Sequence, residues 1–151
     1  MNHQNAIDAL NTLVEINNDR IEGYKTAAEE TDEMSLQTLF AQFSKTSQKC
    51  HAELVTEVRS LGGTPAEGTK TSGKIYRVWM DFKALLTGKS RSTILNSCEY
   101  GEDVALATYD DVLSDNLEDL TSVQQAMLRV QRLLIKADHD KVKALRDMAT
   151  A

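Results

Sequence analysis

Along most of this chain, apolar residues recur at steps of three and four, the spacing that gathers them on one face of a helix. Residues 4–30 carry Ile7, Leu10, Val14, Ile21, Tyr24 and Ala28 in this way, with Asn17 at the step between Val14 and Ile21. Thr31-Asp32-Glu33 reads as a turn, and Ser35 as the cap of a second helix, since a serine hydroxyl can accept from the free N–H groups of a first turn. That helix is predicted over 34–61, along the seam Leu36, Leu39, Phe40, Phe43, Ser47, Cys50, Leu54, Val58 and Leu61. Gly62-Gly63 follows as its stop, because glycine favours the position just past a helix end.

A short helix is predicted over 74–87, with Ile75, Val78, Trp79, Phe82, Leu85 and Leu86 on its apolar face and Gly88 after it. Ser90 or Ser92 then opens a helix over 91–113, with the seam Leu95, Cys98, Glu102, Ala105, Tyr109 and Val112. A final helix is expected over 118–148, through Val123, Met127, Val130, Leu134, Ile135, Val142 and Leu145. No segment alternates with the period of two that marks a strand. The lone proline agrees, since proline breaks helices.

The reading is therefore all-α, one domain over 1–151. Two antiparallel hairpins, 4–61 and 91–148, are joined by about 30 residues that hold their own helix. One long crossover between two hairpins is the ferritin-like topology, not the simple up-down-up-down one. A weak internal repeat supports it: a shift of 85 positions sets Leu10, Asn11, Thr12 and Tyr24 on Leu95, Asn96, Ser97 and Tyr109, and Asn17 on Glu102.

Charge and composition narrow the function. With 17 Lys and Arg against 23 Asp and Glu, the formal net charge is −6, which argues against a nucleic-acid binder. No apolar run approaches a membrane span, and the N-terminus lacks a leader's charged and apolar regions, so a cytoplasmic protein is expected. Cys50 and Cys98 fit no disulfide or zinc spacing, and their levels in the bundle differ by ~10 Å. Both read as buried free thiols.

Several stretches resemble a known family. They are Glu-Ile-Asn-Asn-Asp-Arg-Ile-Glu-Gly-Tyr at 15–24, Leu-Gly-Gly-Thr-Pro at 61–65, Arg-Val-Trp-Met-Asp-Phe-Lys-Ala-Leu-Leu-Thr-Gly at 77–88, Cys-Glu-Tyr-Gly-Glu-Asp from 98, and His-Asp-Lys-Val-Lys-Ala-Leu-Arg-Asp at 139–147. Together the chain resembles a bacterial family of ferritin-like four-helix-bundle proteins of unknown function. The resemblance implies the ferritin-like fold, self-association as a homodimer and a stress-associated role. It implies no established activity.

A ferritin-like di-iron site needs a Glu from each of two helices and Glu-x-x-His from each of the other two. Counting outward from each turn places Asn17, Ser47, Glu102 and Gln131 at one level, as a polar layer near the bundle middle. The second helix offers Gln48-x-x-His51 where Glu-x-x-His is required, and His139 lies about two turns nearer the bundle end. No metal or other cofactor is expected, and no catalytic residue is assigned. Were iron or another divalent metal bound, its ligands would be Glu102 and His51, flanked by Glu22 and Glu99. Glu102 itself reads as a structural acid, buried on its seam and hydrogen-bonded to Asn17, Gln131 or a tyrosine hydroxyl.

Residues 70–91 carry six basic side chains against Asp81 alone, a local charge of +5 in an acidic chain. Such a basic amphipathic helix packs on its own bundle, or serves as a surface for a partner or membrane. Packing on the bundle is the expectation, with Trp79 in the core; self-association through 74–87 is the other role it offers. The functional expectation is a non-enzymatic interaction or stress-associated protein. The alternative is a metal-binding ferritin relative with weak oxidase or storage chemistry.

Overall fold

A computed structural model describes residues 3–67 and 91–150. The predicted helix at 74–87, with Trp79, lies outside them. Among the described residues there are four long α-helices: α1 (Gln4–Glu30), α2 (Met34–Ser60), α3 (Arg91–Asp115) and α4 (Ser122–Thr150), with a 3-10 turn at Leu117–Asp119 before the last. No strand occurs among them.

The ends show which local signals acted. α2 closes with a double glycine motif: the Gly63 N–H donates to the Val58 carbonyl and the Gly62 N–H to that of Arg59, both at 3.0 Å. Gly62 sits at φ 82°, which only glycine adopts without strain. Gly63 lies so close to α1 that a Cβ there would come within 2.8 Å of the Ile7 side chain. Ser35 does not cap α2; it lies inside the helix, and Glu33 holds the cap position with no capping bond from its side chain. The turn is tied instead by Gln37, whose Nε2 donates to the Thr31 carbonyl at 2.7 Å.

At its other end the chain departs further from the sequence reading. α3 begins at Arg91, so Ser92 is helical, and it runs two residues beyond the predicted 113. α4 starts at Ser122, not 118. The cause is a capping box: the Gln124 N–H donates to Thr121 Oγ1 at 3.1 Å, and the Thr121 N–H to Gln124 Oε1 at 2.9 Å.

Side-chain pairs fix the directions. Asn17 faces Tyr109 and Tyr24 faces Glu102, so α1 and α3 are antiparallel. Arg20 faces Ser47 and Thr31 meets Gln37, which makes α2 antiparallel to α1. Gln131 faces Tyr109 while His139 faces Asp103, and Gln131 faces Glu53 while Gln124 faces Glu57, which makes α4 antiparallel to α3 and to α2. α2 and α3 therefore run the same way on opposite corners. The chain end beyond α2 is tied to α1 near its start, where Asn11 Nδ2 donates to the Thr64 carbonyl at 3.0 Å. The start of α3 lies at the far end of α1, roughly 35 Å away at ~1.5 Å per residue. Residues 61–90 thus join opposite ends of the bundle, as the crossover reading requires.

The predicted seams of α1, α2 and α3 hold. Leu10, Val14, Phe40, Phe43, Leu54, Leu95, Cys98, Ala105 and Tyr109 are among the buried side chains. The face of α4 is corrected. Val123 is 78% exposed and Val130 52% exposed. Ile135 and Val142 are buried as predicted, and Gln124, Leu128, Gln131 and Asp138 join them in the core, a set at alternating four- and three-residue steps with three polar members seven apart. Apolar periodicity misses this face because half of it is polar. No helix of the described residues is long and apolar enough to cross a membrane.

Candidate functional site

The middle of the bundle is polar and closed. Asn17, Ser47, Glu102 and Gln131, the four residues of the expected layer, are all 0% exposed. They fall into two linked clusters. In the first, Asn17 Nδ2 donates to the Leu13 carbonyl and to the Tyr109 hydroxyl, each at 2.9 Å. Tyr109 in turn donates to Gln131 Oε1 at 2.7 Å, and Gln131 Nε2 to Glu53 Oε1 at 3.2 Å.

The second cluster is built around Arg20, which is wholly buried. Its Nη2 lies 2.6 Å from Glu102 Oε1 and 3.3 Å from Asp138 Oδ2. Its Nη1 donates to Ser47 Oγ, and the Tyr24 hydroxyl donates to Glu102 Oε1. The guanidinium carbon also stands 5.5 Å from the centre of the Tyr24 ring, within cation–π range. The ring is wedged by Phe40 and Phe43, at centroid distances of 5.7 and 5.2 Å.

The internal repeat explains the pairing. The 85-residue shift carries Asn17 to Glu102 and Tyr24 to Tyr109. It therefore turns the Asn17–Tyr109 contact into the Glu102–Tyr24 contact, and both hydrogen bonds are present. The two hairpins meet about a pseudo-twofold axis, each supplying one tyrosine hydroxyl to the other's polar residue.

Electrostatics set the state of this core. Burial works against the Arg20 charge, but Glu102, Tyr24 and Asp138 hold its pKa above the ordinary value. Burial raises the pKa of Glu102, and the neighbouring guanidinium and the Tyr24 hydroxyl only partly offset it. Burial likewise raises Asp138 against the pull of Arg20. Glu102 Oε2 has no hydrogen-bond partner among the described residues, so that oxygen gives the ion pair nothing to set against its desolvation.

A pH dependence follows with a definite sign. Above their ordinary values, 4.5 for Glu102 and 3.8 for Asp138, these acids hold protons in the fold that an unfolded chain has released. Their contribution to stability is therefore greatest at and below those values, and it is lost as pH rises through the raised ones. Glu102→Gln keeps Oε1 as acceptor for both Arg20 and Tyr24, so it is expected to cost about 1 kcal/mol or less. It should also flatten the fall in stability with rising pH; urea unfolding at a series of pH values measures both.

The other sequence candidates lie apart from Glu102. His51 is half-buried beside a groove lined by Asn18, Val55, Arg59 and Gly63, and burial lowers its pKa. It sits one helical turn beyond Ser47, on the loop side of the polar layer. Glu22 is exposed on a different groove between α1 and α2, near Lys25 and Lys45. Glu99 lies on the flank of α3, where Arg146 Nη1 pairs with its Oε2. These residues are not gathered round one point. Cys50 and Cys98 are buried free thiols. Burial pushes Cys50 up to about 11 and Cys98 well above its ordinary value, which disfavours the reactive thiolate.

Arg20 and Asp138 were missed by sequence reasoning. Both carried a signal in their spacing: Arg20 falls three after Asn17 and four before Tyr24, and Asp138 seven after Gln131. A charged residue at such a step is ordinarily solvent-facing, but here each finds its partner at the same level.

The sequence profile of the family described as Domain of unknown function (DUF2383) matches residues 5–115. The chain belongs to that family. The DUF2383 match takes in α1, α2 and α3, and so Asn17, Arg20, Ser47 and Glu102, whereas Gln131 and Asp138 enter the site from α4 beyond it. Comparison with curated proteins finds no match.

Proposed function

We propose that this chain is a non-enzymatic ferritin-like bundle, dimeric and stress-associated or interaction-bearing, whose middle is closed by a resident guanidinium. The observation that carries this reading is Arg20, fully buried between Glu102, Asp138 and Ser47. A di-metal centre needs a ring of carboxylates and two histidines to offset two dications. Here α1 brings Asn17 and Arg20 to that level, α2 brings Ser47, and α4 brings Gln131 and Asp138. The donor set does not fit a metal pair, and the permanent charge of Arg20 repels a dication placed beside Glu102. The ferritin-like assignment is supported by the parallel run of α2 and α3 and the long connection between them. Self-association has residues 74–87, outside the described residues, as the surface the sequence offers.

Aerobic ferrous-ion oxidation separates this reading from a metal-oxidising or storage protein. The purified chain is expected to oxidise ferrous ion no faster than buffer, and to retain no pair of metals after gel filtration. Two metals per chain, or an oxidation rate above buffer, with either lost in both Glu102→Gln and His51→Gln, would overturn it. Sedimentation equilibrium tests the dimer.

A further inference from the structure

At two places adjacent residues divide between the core and the flank. Glu102 and Asp138 turn to Arg20, while the residues that follow them, Asp103 and His139, meet on the outer side of the α3–α4 pair. His139 Nε2 lies 2.8 Å from Asp103 Oδ1 and 3.9 Å from Glu99 Oε1. Glu99 and Asp103 are one helical turn apart, so α3 presents both carboxylates on one face. The His139 side chain is largely buried, at 11% exposure. Its Nδ1 lies 3.1 Å from Asp140 Oδ1.

We infer that Glu99, Asp103 and His139 form a site for one divalent metal ion of the zinc class. The potential ligand atoms all lie within 4.8 Å of one another. On a tetrahedral zinc ion, at ~2.0–2.1 Å from each ligand, donor atoms stand about 3.3 Å apart. The observed separations of 2.8 and 3.9 Å bracket that value. The outer partners are those a metal-bound histidine and carboxylate need. Asp140 can accept from an Nδ1–H, and that tautomer leaves Nε2 as the ligand atom beside the two carboxylates. Arg146 occupies the other oxygen of Glu99 and leaves Oε1 facing the histidine. Two carboxylates balance the dication, and the exposed side of Asp103 leaves room for water as the fourth ligand. This site is on the flank, separate from the Arg20 cluster, and it takes one ion, not two.

The test is titration of chelator-treated protein with zinc ion, followed by calorimetry. One ion per chain is expected to bind, more weakly as pH falls, because a proton competes for the histidine. His139→Gln and Asp103→Asn should each weaken binding at least tenfold. Asp103 is exposed, so its variant folds even if the buried histidine variant does not. His51→Gln should bind as wild type. Absence of saturable binding would overturn the inference, as would undiminished binding in Asp103→Asn. Two ions lost together in Glu102→Gln would instead refute the reading of the bundle middle.

Discussion

Arg20→Met is expected to cost about 3–5 kcal/mol at pH 7, the usual penalty for removing one member of a buried ion pair. Methionine fills much of the same volume, so the loss is electrostatic in origin, not a cavity. Two carboxyls remain in the space it leaves, Glu102 at 0% and Asp138 at 7% exposure, without the guanidinium that offset them. They stay buried only by taking up protons, which becomes harder as pH rises. The variant should therefore recover about 1–3 kcal/mol of its loss between pH 7 and pH 5, at ~1.4 kcal/mol per proton per pH unit. Arg20→Met with Glu102→Gln removes one of the two acids and should fall less steeply with pH than Arg20→Met alone. The contrast with Glu102→Gln is the informative part. A carboxyl can neutralise itself and a guanidinium cannot, but in that variant Arg20 keeps Asp138 and Ser47. Equal losses in the two single variants, or a flat pH profile for Arg20→Met, would mean that the guanidinium does not hold these acids in the core.

Phe43→Ala should cost about 3–5 kcal/mol, as a large-to-small change in a packed core. The ring is wholly buried and meets Tyr24 edge-on, at 66° between planes. Its loss opens a cavity beside the tyrosine whose hydroxyl is bound to Glu102. The effect should therefore couple to the polar core. Phe43→Ala combined with Glu102→Gln is expected to depart from the sum of the two, since the cavity loosens the ring whose hydroxyl the substituted side chain still accepts. Leu54→Ala, also buried but about three helical turns further along α2 than Phe43, serves as the additive comparison. Urea unfolding reads all of these. A loss below about 1 kcal/mol for Phe43→Ala would show that the ring is not packed as described.

Against a typical domain stability of ~5–15 kcal/mol, either change removes a large part of the total. The packed face of α2 was legible in the sequence because its apolar residues outnumber its polar ones, and Leu36, Phe40, Phe43, Cys50, Leu54 and Val58 are all buried. The level of the polar layer was legible too, since counting from a turn needs only the helical rise. The tyrosine hydroxyl expected on Glu102 is present, but which tyrosine serves which polar group could not be read. Tyr24 reaches Glu102 and Tyr109 reaches Asn17 across a helix pair 78 and 92 residues apart in sequence, and no local pattern encodes that distance. Arg20 was hidden by its charge. The cap at Thr121 was hidden because Glu118 and Asp119 favour a helix start just upstream, whereas the reciprocal Thr121–Gln124 bonds fix it later.

The two faces of α4 have a consequence for how the bundle chooses one arrangement. Val123, Met127, Val130 and Leu134 form an apolar stripe one residue out of step with the buried Gln124, Leu128, Gln131, Ile135 and Asp138. A roll of about 100° about the helix axis would exchange them. Over that stretch the rolled helix would bury more apolar side chains. It would, however, carry Asp138 away from Arg20 and Gln131 away from Tyr109, leaving a cation and a hydroxyl without these partners in the dry interior. The polar residues of α4 thus act as an index pin: they give up apolar burial and, in return, allow the helix a single azimuth.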